Sequence, residues 1–315
     1  MKIFDSLDAI PADFGPSAVT IGKFDGVHSG HRRIIGELRE LAAGTGLITT
    51  VITFDRNPLS VLRPDACPAP LVSNRQKLEL IESLGVDSAV VLTFDRAFSV
   101  LPPEEFVRAI LVDALHARLV LIGSDFRFGV RGSGDVALLR ELGSRHGFEV
   151  RLVEDVRALK GRRASSTWIR ELLAEGKVGA AGELLGYAPC VRSIVVHGEQ
   201  RGRLLGYPTA NLAPDLEGFV PGDGVYAGWA TIGEDRFAAA ISVGNNPTFD
   251  GVPEKRVEAH LVDQDLDLYG RTIEVAFVEF VRGMVKFSTV DELIVQMGKD
   301  LEQVRAVLGV TRPLQ

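Results

Sequence analysis

Ile21-Gly22-Lys23-Phe24-Asp25-Gly26-Val27-His28-Ser29-Gly30-His31 is the stretch that decides the fold of the first half of the chain. It follows an apolar run, Ala18–Ile21, and opens a segment in which Ile34, Ile35, Leu38, Leu41 and Ala42 fall on one helical face. A strand that passes through a glycine-rich turn into a helix is the first step of an α/β unit. The same alternation continues downstream. Apolar runs at Leu47–Phe54, Ser88–Phe94, Arg118–Ile122 and Phe148–Val153 are interleaved with helical patterns at Arg75–Leu84, Glu104–Leu115 and Val136–His146. This order predicts a mostly parallel sheet covered by helices. A further helix is expected over Thr167–Glu175, with Ser165 and Ser166 before it as N-cap residues.

The second half changes character. Short β-rich runs, Val191–Val196, Val225–Ile232, Ala238–Val243, Val257–Val262 and Ile273–Phe280, are separated by Gly, Pro and Asn turns. They predict an antiparallel barrel or sandwich. A closing amphipathic helix over Val290–Leu308 carries Leu293, Ile294, Met297, Leu301, Val304 and Leu308 at helical spacing. The change of pattern falls near Gly182–Ala188, giving expected domains of residues 1–184 and 185–315.

Bulk composition agrees with two globular domains. The chain has 315 residues, 46% hydrophobic and 24% charged, with a formal net charge of -7. An acidic balance argues against a protein that wraps nucleic acid, but a few local cations still suffice for a phosphate site. Cys67 and Cys190 stand far apart, so neither a zinc site nor a disulfide framework is expected. The amino-terminal stretch lacks a long apolar run, and nothing approaches the length of a membrane span. A cytoplasmic protein, with no membrane or nucleic-acid partner, is the expectation.

In the first motif the glycines let backbone amides approach a ligand, and the helix start adds an anion site. His28 and His31 lie three residues apart across the loop–helix junction, so both imidazoles can converge on one phosphate group. There they can neutralise charge developing during displacement at phosphorus. A glycine-rich turn whose histidines are satisfied by local hydrogen bonds is the alternative. A second stretch, Gly161-Arg162-Arg163-Ala164-Ser165-Ser166-Thr167-Trp168-Ile169-Arg170, sets hydroxyls and amides at a helix start among arginines. It suits a polyphosphate tail, or it is an ordinary serine cap with solvated arginines. In a third, Gly123-Ser124-Asp125-Phe126-Arg127-Phe128-Gly129, either phenylalanine stacks on a planar ring or packs in the core.

The sharpest motif is Gly198-Glu199-Gln200-Arg201-Gly202-Arg203-Leu204-Leu205-Gly206-Tyr207-Pro208-Thr209-Ala210-Asn211. Gly198, Gly202 and Gly206 allow a loop that folds its amides around phosphates. In extended backbone Thr209 and Asn211 share a face and can ligate one Mg²⁺ through oxygen. A plain Gly/Pro loop with polar turn residues is the competing account. Downstream, Arg256-Val257-Glu258-Ala259-His260-Leu261 alternates so that Glu258 and His260 lie opposite Val257, Ala259 and Leu261. Glu258 then either takes a proton from an attacking alcohol or is a solvent-facing strand residue.

Taken together, the first three stretches resemble the adenylyltransferase half of the prokaryotic bifunctional riboflavin kinase/FAD synthetases. The last two resemble the riboflavin kinase module. The kinase likeness rests on Gly202, Arg203, Leu205, Gly206, Pro208, Thr209, Ala210, Asn211, Glu258 and Leu268-Tyr269-Gly270. Gly224-Val225-Tyr226-Ala227, Asn246-Pro247-Thr248-Phe249 and Lys286-Phe287 fit the same module. The resemblance implies an α/β Rossmann-like nucleotidyltransferase domain followed by an all-β six-stranded Greek-key barrel with a C-terminal helix. By it, His28 and His31 bind ATP phosphates, and Ser166, Thr167 and Arg170 hold the triphosphate. Gly22, Phe24, Asp25, Gly26, Gly30 and Asp125 line the nucleotide, as do Gly198, Gly202, Arg203 and Gly206 in the barrel. Thr209 and Asn211 are the metal ligands, Glu258 is the general base, and Phe126, Phe128, Pro208 and Tyr269 contact flavin. One departure is visible: where the family often has Pro-His-Pro, this chain has Arg56-Asn57-Pro58.

The implied reactions use Mg²⁺ and ATP to turn riboflavin into FMN with release of ADP, then FMN into FAD with release of pyrophosphate. The sequence is compatible with a homo-oligomer. Two other classes stay open. A nucleotidyltransferase for a different acceptor leaves the second motif set without a use, and a non-catalytic flavin sensor leaves Thr209, Asn211 and Glu258 without one.

Overall fold

The computed structural model describes residues 1–153, 162–198, 205–244 and 255–311. They form two compact units, Met1–Ser165 and Ser166–Gln315.

The first unit is an α/β layer structure. Its elements run β1 (Lys2–Phe4), β2 (Ser17–Ile21), α1 (Ser29–Ala42), β3 (Ile48–Phe54), α2 (Leu59–Leu62), α3 (Asn74–Ser83), β4 (Ser88–Leu92), α4 (Arg96–Ser99), α5 (Pro103–Phe106), β5 (Ala117–Gly123), α6 (Val136–His146) and β6 (Glu149–Val153). The sheet is parallel throughout, in the order β1-β4-β3-β2-β5-β6. β2 lies at its centre and is buried along its whole length. Alternate residues of the central strands face opposite layers. Ala18, Leu119 and Leu121 meet Leu38 and Ala42 of α1 on one side. Val19, Ile21, Val120 and Ile122 meet Phe106, Ile110, Leu111, Leu139 and Leu142 on the other. The chain moves from β2 to β3 and β4 on one side, then to β5 and β6 on the other. The strand order therefore reverses between β2 and β5, and ligands of open α/β sheets bind at the carboxyl end of such a crevice.

Two local features depart from the sequence expectation. β1 was not anticipated, because three residues at a sheet edge carry too little periodicity to stand out. The helix expected over Glu104–Leu115 is α5 followed by a wider π-helical segment, Val107–Ala114.

The second unit opens with α7 (Ser166–Ala174) and α8 (Val178–Leu185), so Ser166 is the first residue of α7 and does not precede it. The strands β7 (Cys190–Val196), β8 (Ala210–Leu212), β9 (Gly224–Ile232), β10 (Asp235–Gly244), β11 (Arg256–Leu261) and β12 (Thr272–Arg282) close a six-stranded antiparallel barrel in the order β10-β11-β8-β7-β12-β9. β8 is the strand that the apolar pattern did not show, again because it has only three residues. Helix α9 (Val290–Leu308) closes the unit, with Leu301, Val304 and Leu308 packed on Ala227, Trp229 and Ala238. One polar contact reinforces it: the Arg282 guanidinium of β12 donates from Nε to Asp300 Oδ1 at 2.9 Å and from Nη2 to Oδ2 at 2.7 Å. Asp300 is buried, so this bidentate pair fixes how α9 sits on the barrel. Among the described residues, no helix is long and apolar enough to cross a membrane.

Candidate functional site

The loop between β2 and α1 emerges at the carboxyl end of the central strand, beside the strand-order reversal. Its backbone takes left-handed conformations at Phe24 (φ 49°), Gly26 (φ 77°) and Val27 (φ 37°). Two of these are not glycine, and Val27 is β-branched, so the loop is strained. Burial holds it in place. Phe24 and Val27 pack with Ile35, Val51, Ile81 and Val86, and the Gly22 amide donates to Ile52 O of β3 at 3.0 Å. The Asp25 carboxylate accepts from the Leu71 amide at 2.8 Å.

His28 occupies the N-cap position of α1, and its carbonyl accepts the first helical hydrogen bond from Arg32 N at 2.9 Å. The His28 and His31 rings are stacked, with centroids 3.8 Å apart and planes 18° apart, and Phe24 lies against His31 at 5.1 Å. Gly30 keeps this room open, since a β-carbon there would stand 3.2 Å from His28 Cε1. Burial, helped by the nearby Arg163 cation, pushes the His28 pKa down from 6.5 to about 4. Burial, His28, Lys23 and Arg163 hold His31 well below its ordinary range. Both imidazoles are therefore neutral at pH 7, and among the described residues the Nδ1 atom of each is buried without a hydrogen-bond partner. Two buried, unsatisfied ring nitrogens at a helix N-terminus, beside an arginine and a lysine, are suited to an incoming anion.

These values set an acid limit on the stability of the unit. Because the native pKa of His28 is depressed, the unfolded chain takes up the proton first as pH falls. The native state thus has its full stability above about pH 6.5 and loses it progressively down to about pH 4. A shift of this size corresponds to about 3 kcal/mol at 1.36 kcal/mol per pH unit. Denaturant titrations at pH 7 and pH 4.5 are expected to show that loss, and to show less of it in His28→Asn.

Asp125 follows β5, across the reversal from the histidine loop. Its carboxylate accepts from Arg163 Nη1 at 3.1 Å, which ties the second sequence motif to the third. Phe126 is half-buried and stacks on Phe128 at 5.6 Å. Phe128 belongs to the buried core cluster on one side of the sheet. It is 5% exposed, packs on Phe106, and is turned inward by a backbone bridge to Gly134. Asn57, at the place of the family histidine, makes a local turn in which its side-chain oxygen accepts from the Leu59 amide at 3.1 Å. Ser166, Thr167 and Arg170 lie in the first turns of α7, in the second compact unit.

In the barrel, β8 and β11 pair antiparallel with Asn211 directly opposite Glu258. Side chains paired in this way lie on the same face, with β-carbons about 5 Å apart. The candidate base and a candidate metal ligand, distant in sequence, are thus neighbours. Asn211 Nδ2 donates to the Thr209 carbonyl at 3.3 Å, which leaves Oδ1 as the atom to offer a cation. Gly198 is fixed by close approach: a β-carbon there would stand 2.5 Å from the Asn211 carboxamide. Thr209 and Asn211 each carry a side-chain oxygen that can serve as a ligand, chemistry that fits a hard divalent cation such as Mg²⁺.

Gly198, Pro208, Thr209, Asn211 and Tyr269 line one cleft, together with Asp265–Leu268 and Gln264. Tyr269 is stacked on His197, with ring centroids 3.7 Å apart. The Pro208 carbonyl is 2.7 Å from Nδ1 of the buried His260, whose pKa is lowered by burial. His260 was legible as a strand residue, but its support of the Pro208 segment was not. Gly206 takes φ 83° in an open turn. Gly202 and Arg203 lie outside the described residues, as do Gly161 and the Asn246-Pro247-Thr248-Phe249 stretch.

Comparison with known proteins agrees with this geometry. Residues 10–168 match the FAD synthetase family model, and residues 185–308 match the riboflavin kinase model. The bifunctional riboflavin kinase/FMN adenylyltransferase of Escherichia coli (strain K12) is 36% identical over 296 residues, covering 94% of each chain. The protein of the same name from Haemophilus influenzae is 36% identical over 92% of this chain and 93% of its own. A crystal structure named as a macrolide-efflux protein from Streptococcus pneumoniae is 33% identical, with a TM-score of 0.86 over 96% of this chain and 98% of its own. With both family models matched in order and relatives aligned over almost their whole length, the chain belongs to the bifunctional riboflavin kinase/FMN adenylyltransferase family.

Proposed function

We propose that the chain performs two ATP-dependent transfers, phosphorylating riboflavin to FMN with its barrel and adenylylating FMN to FAD with its α/β unit. The observation that supports this reading is that each compact unit brings together its own set of candidate residues. One is the stacked, neutral His28–His31 pair at the start of α1. The other is the Asn211–Glu258 pair across β8 and β11.

In the barrel, Glu258 accepts the proton of the ribityl 5′-hydroxyl as its oxygen bonds to the γ-phosphorus of ATP. The bond from γ-phosphorus to the bridging oxygen breaks, and ADP leaves. Thr209 and Asn211 would hold a Mg²⁺, which would supply charge neutralisation at the phosphate oxygens. In the α/β unit, a phosphate oxygen of FMN bonds to the α-phosphorus of a second ATP and pyrophosphate departs. The FMN phosphate is already ionised near neutral pH, so no strong base is required. His28 and His31 donate to the oxygens that gain charge. Phe126, Pro208 and Tyr269 contact the flavins. The absence of paired cysteines supports a cytoplasmic setting.

Incubation with riboflavin, ATP and Mg²⁺, followed by chromatography, is expected to yield FMN first and FAD second. Labelled ATP offered with other acceptors, such as a pantetheine or nicotinate nucleotide, is expected to give no adenylylated product. The reverse outcome identifies a different acceptor, and no ATP turnover identifies a binding protein.

A further inference from the structure

Helix α3 is amphipathic, yet one residue on its inner face is a lysine. Lys77 lies one turn before Ile81, which is fully buried, and is itself only 6% exposed. An ammonium removed from water is costly unless it is paired and hydrogen-bonded. Nζ of Lys77 donates to the carbonyl of Phe54, the last residue of β3, at 2.6 Å. The carboxylates that face it are Asp25, in the histidine loop after β2, and Asp55, in the loop after β3. Each is committed to a further segment. Asp25 accepts from the Leu71 amide at 2.8 Å, and Asp55 accepts from the Phe94 amide, after β4, at 2.8 Å and pairs with Arg56 at 2.7 Å. The start of α3 is itself fixed, because Ser73 and Gln76 form a reciprocal capping box and Asn74 donates to the Asp55 carbonyl. One buried cation thus sits where the loops after β2 and β3 are held to α3.

We propose that Lys77 is a positioning residue for adenylyl transfer: its ammonium, hydrogen-bonded to the Phe54 carbonyl and attracted by Asp25 and Asp55, steadies the His28–His31 loop against the loop after β3. This rests on the adenylylation proposed above. Lys77 does not reach the reacting atoms; it acts by holding Asp25, and with it the strained backbone of Phe24, Gly26 and Val27, in the conformation that presents the imidazoles. Burial lowers its pKa to about 8 despite the two carboxylates, so the cation is lost in mildly alkaline solution. Carboxylates do not titrate in that range, which leaves Lys77 as the member of this cluster that does.

The test compares wild type, Lys77→Met and Lys77→Arg over pH 6.5–9.5, measuring kcat and KM for ATP and FMN in adenylylation. Riboflavin phosphorylation in the same preparations reports that the chain is intact. Lys77→Met is expected to raise KM for ATP about tenfold or more, with a smaller change in kcat. Wild-type adenylylation is expected to decline above about pH 8, and Lys77→Arg, whose charge persists, to retain activity there. The proposal is overturned if Lys77→Met matches wild type in KM, or if Lys77→Arg declines at the same pH as wild type. Should Lys77→Met fail to fold, the Lys77→Arg profile alone decides. A wild-type chain that makes no FAD refutes the adenylylation reading instead, before any variant is compared.

Discussion

Replacing His28 and His31 together by alanine reduces FAD formation by about 10³-fold or more, while riboflavin is still converted to FMN. The expected size follows from the roughly 10²- to 10³-fold loss that accompanies removal of one preorganised donor to a developing oxyanion. The two rings are stacked at 3.8 Å and share the same approach to an anion, so their effects are not independent. Either single substitution is expected to cost most of what the pair costs. Both rings are neutral in the ligand-free unit, and the charge of a bound triphosphate favours their protonated forms. Adenylylation is thus expected to be coupled to proton uptake when ATP binds. Chromatography of product from supplied FMN and ATP gives the measurement, with kinase turnover in the same sample as the control. FAD synthesis at the wild-type rate by the double variant would refute the assignment.

The mirror-image result is expected for Glu258→Gln. Riboflavin phosphorylation falls by about 10²- to 10⁴-fold, the range for loss of a positioned general base, and adenylylation of supplied FMN continues. Glutamine keeps the size of the side chain and its place opposite Asn211, so β11 and β8 remain paired. What it loses is the capacity to take the ribityl proton. A decisive readout is the split between kcat and KM. A lost base lowers kcat with little change in KM for riboflavin, whereas a disturbed pocket raises KM. Normal phosphorylation by this variant would count against Glu258 as the base.

The sequence carried the α/β layer and most of the barrel because their strands are long enough to repeat a pattern. The run Leu47–Phe54 and the strand Ile48–Phe54 differ by one residue, and the closing helix over Val290–Leu308 agrees at both ends. The elements it did not carry, Lys2–Phe4 and Ala210–Leu212, have three residues each and owe their strand character to neighbours, not to their own alternation. The motifs named the candidate residues but not their arrangement. That His28 and His31 stack, or that Asn211 stands opposite Glu258, depends on ring rotamers and strand register, which local sequence does not encode. For Phe126 and Phe128 the spacing favoured packing over stacking, and the structure buries Phe128 while leaving Phe126 half-buried. Lys77 had a trace in the sequence, a lysine one helical turn from Ile81 on a face that should be apolar, but its partners come from other loops.

The two helices before the barrel bear on how the gene product can be divided. Ser166 and Thr167 fall inside the stretch that matches FAD synthetases, yet α7 and α8 are built onto the barrel. The Gly222 amide bonds Leu173 O, a β-carbon at Gly176 would press on the Tyr226 hydroxyl and the Phe280 ring, and one at Gly179 would touch Glu279. Ile169, Leu173, Val178, Ala181, Leu184 and Leu185 are buried in this setting. A polypeptide severed after Leu185 would strip those side chains of their cover and offer a greasy tail to its neighbours in solution. The same cut would leave the remaining barrel with its flank bare, so separation at that point harms both products.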